Sequence, residues 1–458
     1  MAPNQLGWLE GGRGYSYPVL HQAAQQIRHR LLHEFGLKPG DRVVVAAEPE
    51  WRWVPLLFAC LRIEVILCPL NTRLPSAALA DRARRLDPAL LICADAGDPL
   101  LSGVPCLRMS DLCDASFLNA GGAAPVSLNL EAPATCLYTT GSMGSPRAVV
   151  HALEAHYYSA LGANRNLPMN HRHRYLLSLP LYHVGGMAVL FRCMMSGTGI
   201  VLPDPGQDPA DAVLSHKITH LSLVPTQLIR LLADPRAAEA ASQLQCVLLG
   251  GAPIPRSLIR QALDAGFPVH PTYGMTETAS QICTTGNVTP LARRLTTDGR
   301  VLDHRMVRVK ADGEILVRGH VLALGEWRDG GVQPLALEND WLPTGDLGHL
   351  EEGYLIVTGR KDNRFISGGE NIQPEEIERV LQEVSGAETV VVTPRPDPEF
   401  GARPVAWVRE DLDDGLIEIW NRSLRERLPG YMIPVEYRPL PDGTGLKPDR
   451  AKLTEQLR

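Results

Sequence analysis

The stretch "LYTTGSMGSPRAVVH" (137–151) places Thr139, Thr140, Gly141, Ser142 and Gly144 between two apolar runs and ends them on one cation, Arg147. Small hydroxyl-bearing residues leaving a strand can wrap backbone N–H groups around a phosphate, with an arginine at the rim to meet its charge. The stretch fits neither G-x-x-x-x-G-K-[ST] nor G-x-G-x-x-G. Taken alone it is equally compatible with an exposed flexible loop.

Four further stretches carry groups of chemical interest. In "VLLGGAPIP" (247–255) an apolar run meets Gly250, Gly251 and Ala252, where a flat ring could approach the backbone; a plain strand-to-helix turn reads the same way. "PTYGMTETAS" (271–280) offers the aromatic face of Tyr273, then Gly274, then Thr276 and Glu277, an oxygen pair suited to a hard cation such as Mg²⁺. Thr276 could equally be a helix N-cap. In residues 341–376, Asp346 follows Thr-Gly as a carboxylate in a tight turn, able to hold ribose hydroxyls, and Arg360, Lys361 and Asp362 follow a second glycine. A turn-former and a surface ion pair are the plain alternatives. "DGTGLKPDRAKL" (442–453) delivers Lys447 after a glycine loop, either as a solvated surface residue or as a point charge aimed at an anion.

Two residues stand apart. "PLYHVGGMAVLFR" (180–192) puts His183 at the end of a buried strand, where a core histidine is the simpler reading. Arg192 inside the following apolar helix needs a carboxylate or similar partner, because a buried guanidinium is costly unpaired. The two histidines of "NHRHR" (170–174) lack a third ligand and are weak evidence for a metal.

These groups need a scaffold to bring them together. The chain has 458 residues, more than one ordinary core accommodates, so at least two domains are expected. Continuous apolar runs at 42–47, 64–70, 89–94, 175–181, 220–225 and 246–251 read as strands buried on both faces, with helical patterns between them, as at 20–35. "WVPLLFACL" (53–61) reads as a buried helix. The alternation is that of an α/β fold with a largely parallel sheet. After about residue 285 a hairpin-rich region begins, with strands at 313–319 and 353–359. "PEEIERVLQEV" (374–384) is an amphipathic helix with Pro374 at its start, followed by strands at 388–394 and 404–410. A boundary falls near 360–363.

Bulk composition narrows the function. A net charge of -6 argues against nucleic acid as the main partner. No apolar run approaches the ~20 residues of a membrane span, and the first thirty residues lack a secretory pattern. The nine cysteines are scattered, without a C-x-x-C pair, as in a reduced cytoplasmic protein.

In their order along the chain, "TTGSMGSPR", "GGAPIP", "YGMTETAS", "TGD", "GRKDNRFISGGENI" and a late Gly-Leu-Lys resemble the adenylate-forming superfamily of acyl-CoA synthetases, luciferases and adenylation domains, over residues 139 to 447. Finer stretches, "SLPLYHVGG", "LSLVPTQLIRLL" and "FISGGENIQPEEIERV", are similar to the menaquinone-pathway CoA ligases within it. The resemblance implies a large N-terminal multi-sheet α/β domain (1–361) and a small C-terminal α+β domain (362–458) joined by a hinge at Asp362. It implies ATP, Mg²⁺ and coenzyme A, with 2-succinylbenzoate as the acid. Thr139, Thr140, Gly141, Ser142, Gly144 and Arg147 fall on its phosphate loop. Gly250, Gly251, Ala252, Tyr273 and Gly274 fall on its adenine wall, and Asp346 and Arg360 on its ribose positions. Thr276 falls on a phosphate contact, Glu277 on the metal position and Lys447 on the lysine of the adenylation step. His183, Arg192, Ser222 and Gly251 fall on its acid site. Arg147 and Met143 depart from the usual lysine and threonine of the loop, and one extra residue separates glycine from Lys447. A ligase for another aryl or acyl acid, and a homologue that binds without turnover, are the competing expectations. Self-association is left open.

Overall fold

The computed structural model describes residues 5–94, 100–114, 126–139, 146–387, 389–409, 412–441 and 448–457. Two large sheets and two small ones organise them. In the thirteen-stranded sheet, strands Leu6–Glu10, Gly199–Val201, Arg174–Leu176, His220–Leu223, Cys246–Leu249 and Val269–Met275 run parallel side by side. The eight-stranded sheet pairs Arg42–Ala46 in parallel with Ile66–Pro69 and with Leu90–Cys93, and continues through Pro133–Thr139 into the antiparallel Arg147–Ala152. The continuous apolar runs are those buried strands: Ile66–Pro69, Leu90–Cys93, His220–Leu223 and Cys246–Leu249 are buried at every position.

One core joins inward residues of both sheets, such as Val43 and Leu67 with Trp8, Tyr175 and Ile200, to helices Tyr17–His33, Trp53–Arg62 and Val184–Ser196. A second core packs helices Pro209–Ser215, Pro225–Leu232 and Arg256–Asp264 on the parallel strands of the larger sheet. The architecture is α/β, as the alternating pattern implies.

Three sequence expectations change in detail. The strand expected over 175–181 is only Arg174–Leu176; the Ser178 amide turns back onto the Leu176 carbonyl at 3.0 Å, and Pro180 offers no N–H to a ladder. His183 therefore sits in a turn, as the N-cap of Val184–Ser196, and not at a strand end. Antiparallel pairing is not confined to the chain after residue 285: Leu6–Glu10 pairs so with Arg13–Ser16, Pro133–Thr139 with Arg147–Ala152, and Val269–Met275 with Ser280–Thr284.

After Arg360 the chain builds separate cores. Helix Pro374–Ser385 buries Ile377, Val380 and Leu381 against strands Val390–Asp397 and Gly401–Val408 and helix Asp414–Arg425, and it stops at Gly386 with φ 73°. All nine cysteines are free thiols. Among the described residues no helix is long and apolar enough to cross a membrane, and no group of three His, Cys, Asp or Glu side chains is placed to hold a metal.

Candidate active site

The hairpin Val269–Met275/Ser280–Thr284 is the centre of the site. It is unusually tight: a Cβ on Gly274 would lie 1.9 Å from the Ser280 carbonyl oxygen, so only glycine fits. Thr276–Thr278 forms a single 3₁₀ turn, not the start of a long helix. Ala279 and Ser280 follow with φ of 48° and 103°, a conformation that costs non-glycine residues of order 1–3 kcal/mol each. The Thr276 carbonyl is held by His151 Nε2 at 2.7 Å, and His151 is entirely buried.

The turn carries Glu277, buried, to Arg147 at the start of strand Arg147–Ala152. Arg147 Nη2 donates to Glu277 Oε1 at 2.6 Å and Nη1 to Glu326 Oε1 at 2.8 Å. Thr139 faces Arg147 across the strand pair. The loop residues between them, Thr140, Gly141, Ser142 and Gly144, lie outside the described residues, as does Lys447.

On the other side, Tyr273 donates its phenol to Asp346 Oδ2 at 2.6 Å. Asp346 lies within strand Leu342–Glu351, not in a tight turn, and is the register partner of Arg360 on Tyr354–Arg360. That register brings Arg360 Nη1 to 3.0 Å from Asp346 Oδ1 and to 3.2 Å from the Thr344 carbonyl, while Nη2 reaches Asp362 Oδ2 at 3.0 Å. Burial, together with the Asp346 carboxylate, raises the Tyr273 phenol well above its usual value, so it remains a donor at neutral pH. Asp362 itself is exposed in the 3₁₀ turn that follows.

Beside the hairpin, against Thr272, Gly274 and Ser280, lies a cavity of about 130 Å³. Five of the residues picked out in the sequence line it: Arg192, Ser222, Gly250, Gly251 and Gly274. Ala252 follows on the loop, and Gly251 has φ 79°. His183 keeps part of its surface open to solvent at the entry to the helix that delivers Arg192 and is otherwise enclosed, with Tyr182 edge-on at 4.7 Å. Burial and then the charge of Arg73 hold its imidazolium below the usual range.

Arg192 is buried, with 2% of its surface exposed. Its partners are neutral: Asn164 Oδ1 at 3.2 Å from Nε, the Tyr175 phenol oxygen at 3.3 Å from Nη1, and the Met169 sulfur at 4.0 Å from Nη2. No carboxylate pairs with it among the described residues. These bonds satisfy donors but supply no counter-charge, and desolvating a charge costs several kcal/mol. The sequence did not point to Asn164, Tyr175 or Glu326, since each meets its arginine from a distant segment. Only the unexplained charge of Arg192 hinted that partners existed.

The chain resembles known proteins over nearly its whole length. The sequence profile of the AMP-binding enzyme family matches residues 4–327. A 2-succinylbenzoate–CoA ligase of Salmonella typhimurium is 34% identical over 423 residues, covering 92% of this chain and 88% of that protein. The o-succinylbenzoate CoA synthetase of Bacillus subtilis, solved with an acyl-adenylate intermediate, superposes with a TM-score of 0.84 at 27% identity, over 99% of this chain and 96% of that one. The same enzyme solved with ATP and a magnesium ion also gives 0.84 at 27% identity, over 100% and 97%. The chain belongs to the AMP-binding enzyme family, beside the 2-succinylbenzoate–CoA ligases.

Proposed function

We propose that this chain ligates 2-succinylbenzoate to coenzyme A in menaquinone biosynthesis, through an acyl-adenylate, with release of pyrophosphate and AMP. The observation that carries the choice of acid is Arg192: a buried guanidinium that lines the cavity and has no carboxylate partner among the described residues. An acid with a second carboxylate completes it, as the benzoate group of 2-succinylbenzoate would. A fatty acid would leave the charge unpaired. The relatives' activity supports the same reading.

A carboxylate is a poor acyl donor because oxide would have to leave. Its attack on the α-phosphate of ATP joins it to AMP, and pyrophosphate leaves. The thiol of coenzyme A then attacks the acyl carbon and AMP leaves. Asp346, held between Tyr273 and Arg360, presents its carboxylate to the ribose hydroxyls. Gly250, Gly251 and Ala252 form the wall for the adenine, closed by Tyr273 and Gly274. Arg147, Thr139 and the loop Thr140–Gly144 receive the outgoing phosphates. Thr276 contacts phosphate from the strained turn. His183 lies beside the reacting carboxylate, and Ser222, Arg192 and Gly251 bind the acid.

Glu277 fits a magnesium site: it is a single buried carboxylate, oriented at present by a cation, and Mg²⁺ commonly takes one or two carboxylates and completes its shell with phosphate and water. Magnesium held there neutralises charge that builds on the phosphates. Lys447 supplies a further cation to the first step only. We assign residues 1–361 to a large domain and 362–458 to a small one, with Asp362 at the hinge, so that rotation removes Lys447 and admits the thiol. Substrates of this kind and free thiols throughout fit a cytoplasmic enzyme. The test is acid-dependent pyrophosphate release: 2-succinylbenzoate should release it, and 3-benzoylpropionate, which lacks the ring carboxylate, should do so at a KM at least tenfold higher. Equal KM values would remove Arg192 from the acid site.

A further inference from the structure

We propose that Tyr175 is a positioning residue for acid selection: by accepting from Arg192 it turns the Ser222 hydroxyl proton into the cavity, so the substrate's second anionic group meets two donors. This rests on the acid reading given above.

The argument is one of hydrogen-bond polarity. Arginine only donates, so the contact of 3.3 Å between Arg192 Nη1 and the Tyr175 oxygen makes that oxygen an acceptor. The phenol has one proton, and a buried proton needs an acceptor; among the described residues Ser222 Oγ, 2.6 Å away, is the one in reach, which sets Tyr175 as donor in that pair. Tyr175 is fully buried, so no solvent competes for that proton. Burial pushes the phenol up to about 12, which keeps it a neutral donor over the working range. Ser222 Oγ is thereby used as an acceptor, and its own proton has no acceptor among the described residues. Ser222 and Arg192 both line the cavity. The direction of the chain, Arg192 to Tyr175 to Ser222, leaves a hydroxyl donor facing the same space as the remaining guanidinium protons.

Asn164 fixes the other end. Its Oδ1 accepts from Arg192 Nε at 3.2 Å, and its Nδ2 donates to the Arg192 carbonyl at 3.0 Å. The second bond anchors Asn164, so the guanidinium is held at Nε by Asn164 and at Nη1 by Tyr175, which fixes its plane. The Tyr175 ring also lies 5.5 Å from the guanidinium carbon. A phenylalanine keeps that ring and loses only the oxygen that sets the relay.

The test compares Tyr175→Phe with wild type on 2-succinylbenzoate and 3-benzoylpropionate. The variant should raise KM for 2-succinylbenzoate about tenfold with kcat little changed, the scale of one hydrogen bond to a charged group. KM for 3-benzoylpropionate and for ATP should move by less than about twofold. In a Ser222→Ala background the same substitution should cost clearly less than in wild type, because the proton it orients is gone. Equal losses on both acids, or an undiminished loss with Ser222→Ala, would overturn the relay and leave Tyr175 a packing residue. The wild-type ratio between the acids reports the substrate reading separately. A wild type indifferent to the ring carboxylate overturns that reading and the relay with it. A selective wild type whose variant keeps the ratio overturns the relay alone.

Discussion

Arg147 and Glu277 form an ion pair of 2.6 Å in which the loop's cation rests on the carboxylate assigned to magnesium. A planar fork can do this while its other nitrogen stays on Glu326 at 2.8 Å; a lysine ammonium would be a point charge between them. On that assignment, Arg147 must release Glu277 before a metal is held there.

That exchange has a measurable signature. Arg147→Ala should lower the Mg²⁺ concentration for half-maximal pyrophosphate release by about threefold, because the competitor is gone. It should raise KM for ATP by about tenfold if the same cation serves the phosphates, as proposed above. Arg147 is partly exposed, which keeps both effects modest. Magnesium and ATP requirements that rise together would contradict the exchange.

Asp346 depends on its two neighbours for orientation. Tyr273→Phe removes the 2.6 Å donor while keeping the aromatic face. We expect KM for ATP to rise about tenfold and KM for the acid to stay unchanged, the scale of one charge-assisted hydrogen bond. Steady-state kinetics with each substrate varied in turn would check it. A shift in the acid's KM would move Asp346 out of the ribose site.

Lys447→Ala should separate the two half-reactions. Adenylate formation should fall about 10²–10³-fold, as for loss of one group that stabilises developing charge. Thioester formation from supplied acyl-adenylate should remain near wild type. Equal loss in both steps would mean that Lys447 is not the adenylation lysine.

Stability should fall on mild acidification. Burial holds His151 and His270 at about 4 and His220 at about 3, below the usual 6.5. Above pH 6.5 both folded and unfolded chains carry them neutral, and the full stability is present. As pH falls below 6.5, the unfolded chain takes up protons that the folded one refuses. Stability is then lost at about 1.4 kcal/mol per pH unit for each histidine, until the folded values are reached. Urea denaturation between about pH 7.5 and 5.5 should show this slope, and a flat profile would mean that these imidazoles are not buried neutral.

The motifs were legible because their residues are neighbours in sequence and their spacing is local chemistry. So were the buried parallel strands, since four short runs without a polar face have few other places to sit. Asp346 and Arg360 were both singled out, yet their pairing depends on strand register, which sequence spacing does not encode. Tyr175 meets Arg192 across 17 positions and Glu326 meets Arg147 across 179, so neither partnership left a local trace. The apolar run of 175–181 outlasts its strand because the chain leaves the ladder at Ser178, whose amide turns back onto Leu176, and apolarity alone does not mark that turn.

Coenzyme A thioester formation from ATP and coenzyme A, with 2-succinylbenzoate set beside benzoate, succinate and a medium-chain fatty acid, tests the central claim most directly. The account predicts AMP and thioester with 2-succinylbenzoate and neither with the other three. Thioester formed from another of these acids in preference would keep the chemistry and contradict the substrate, and the absence of AMP with every acid would contradict the ligase activity itself.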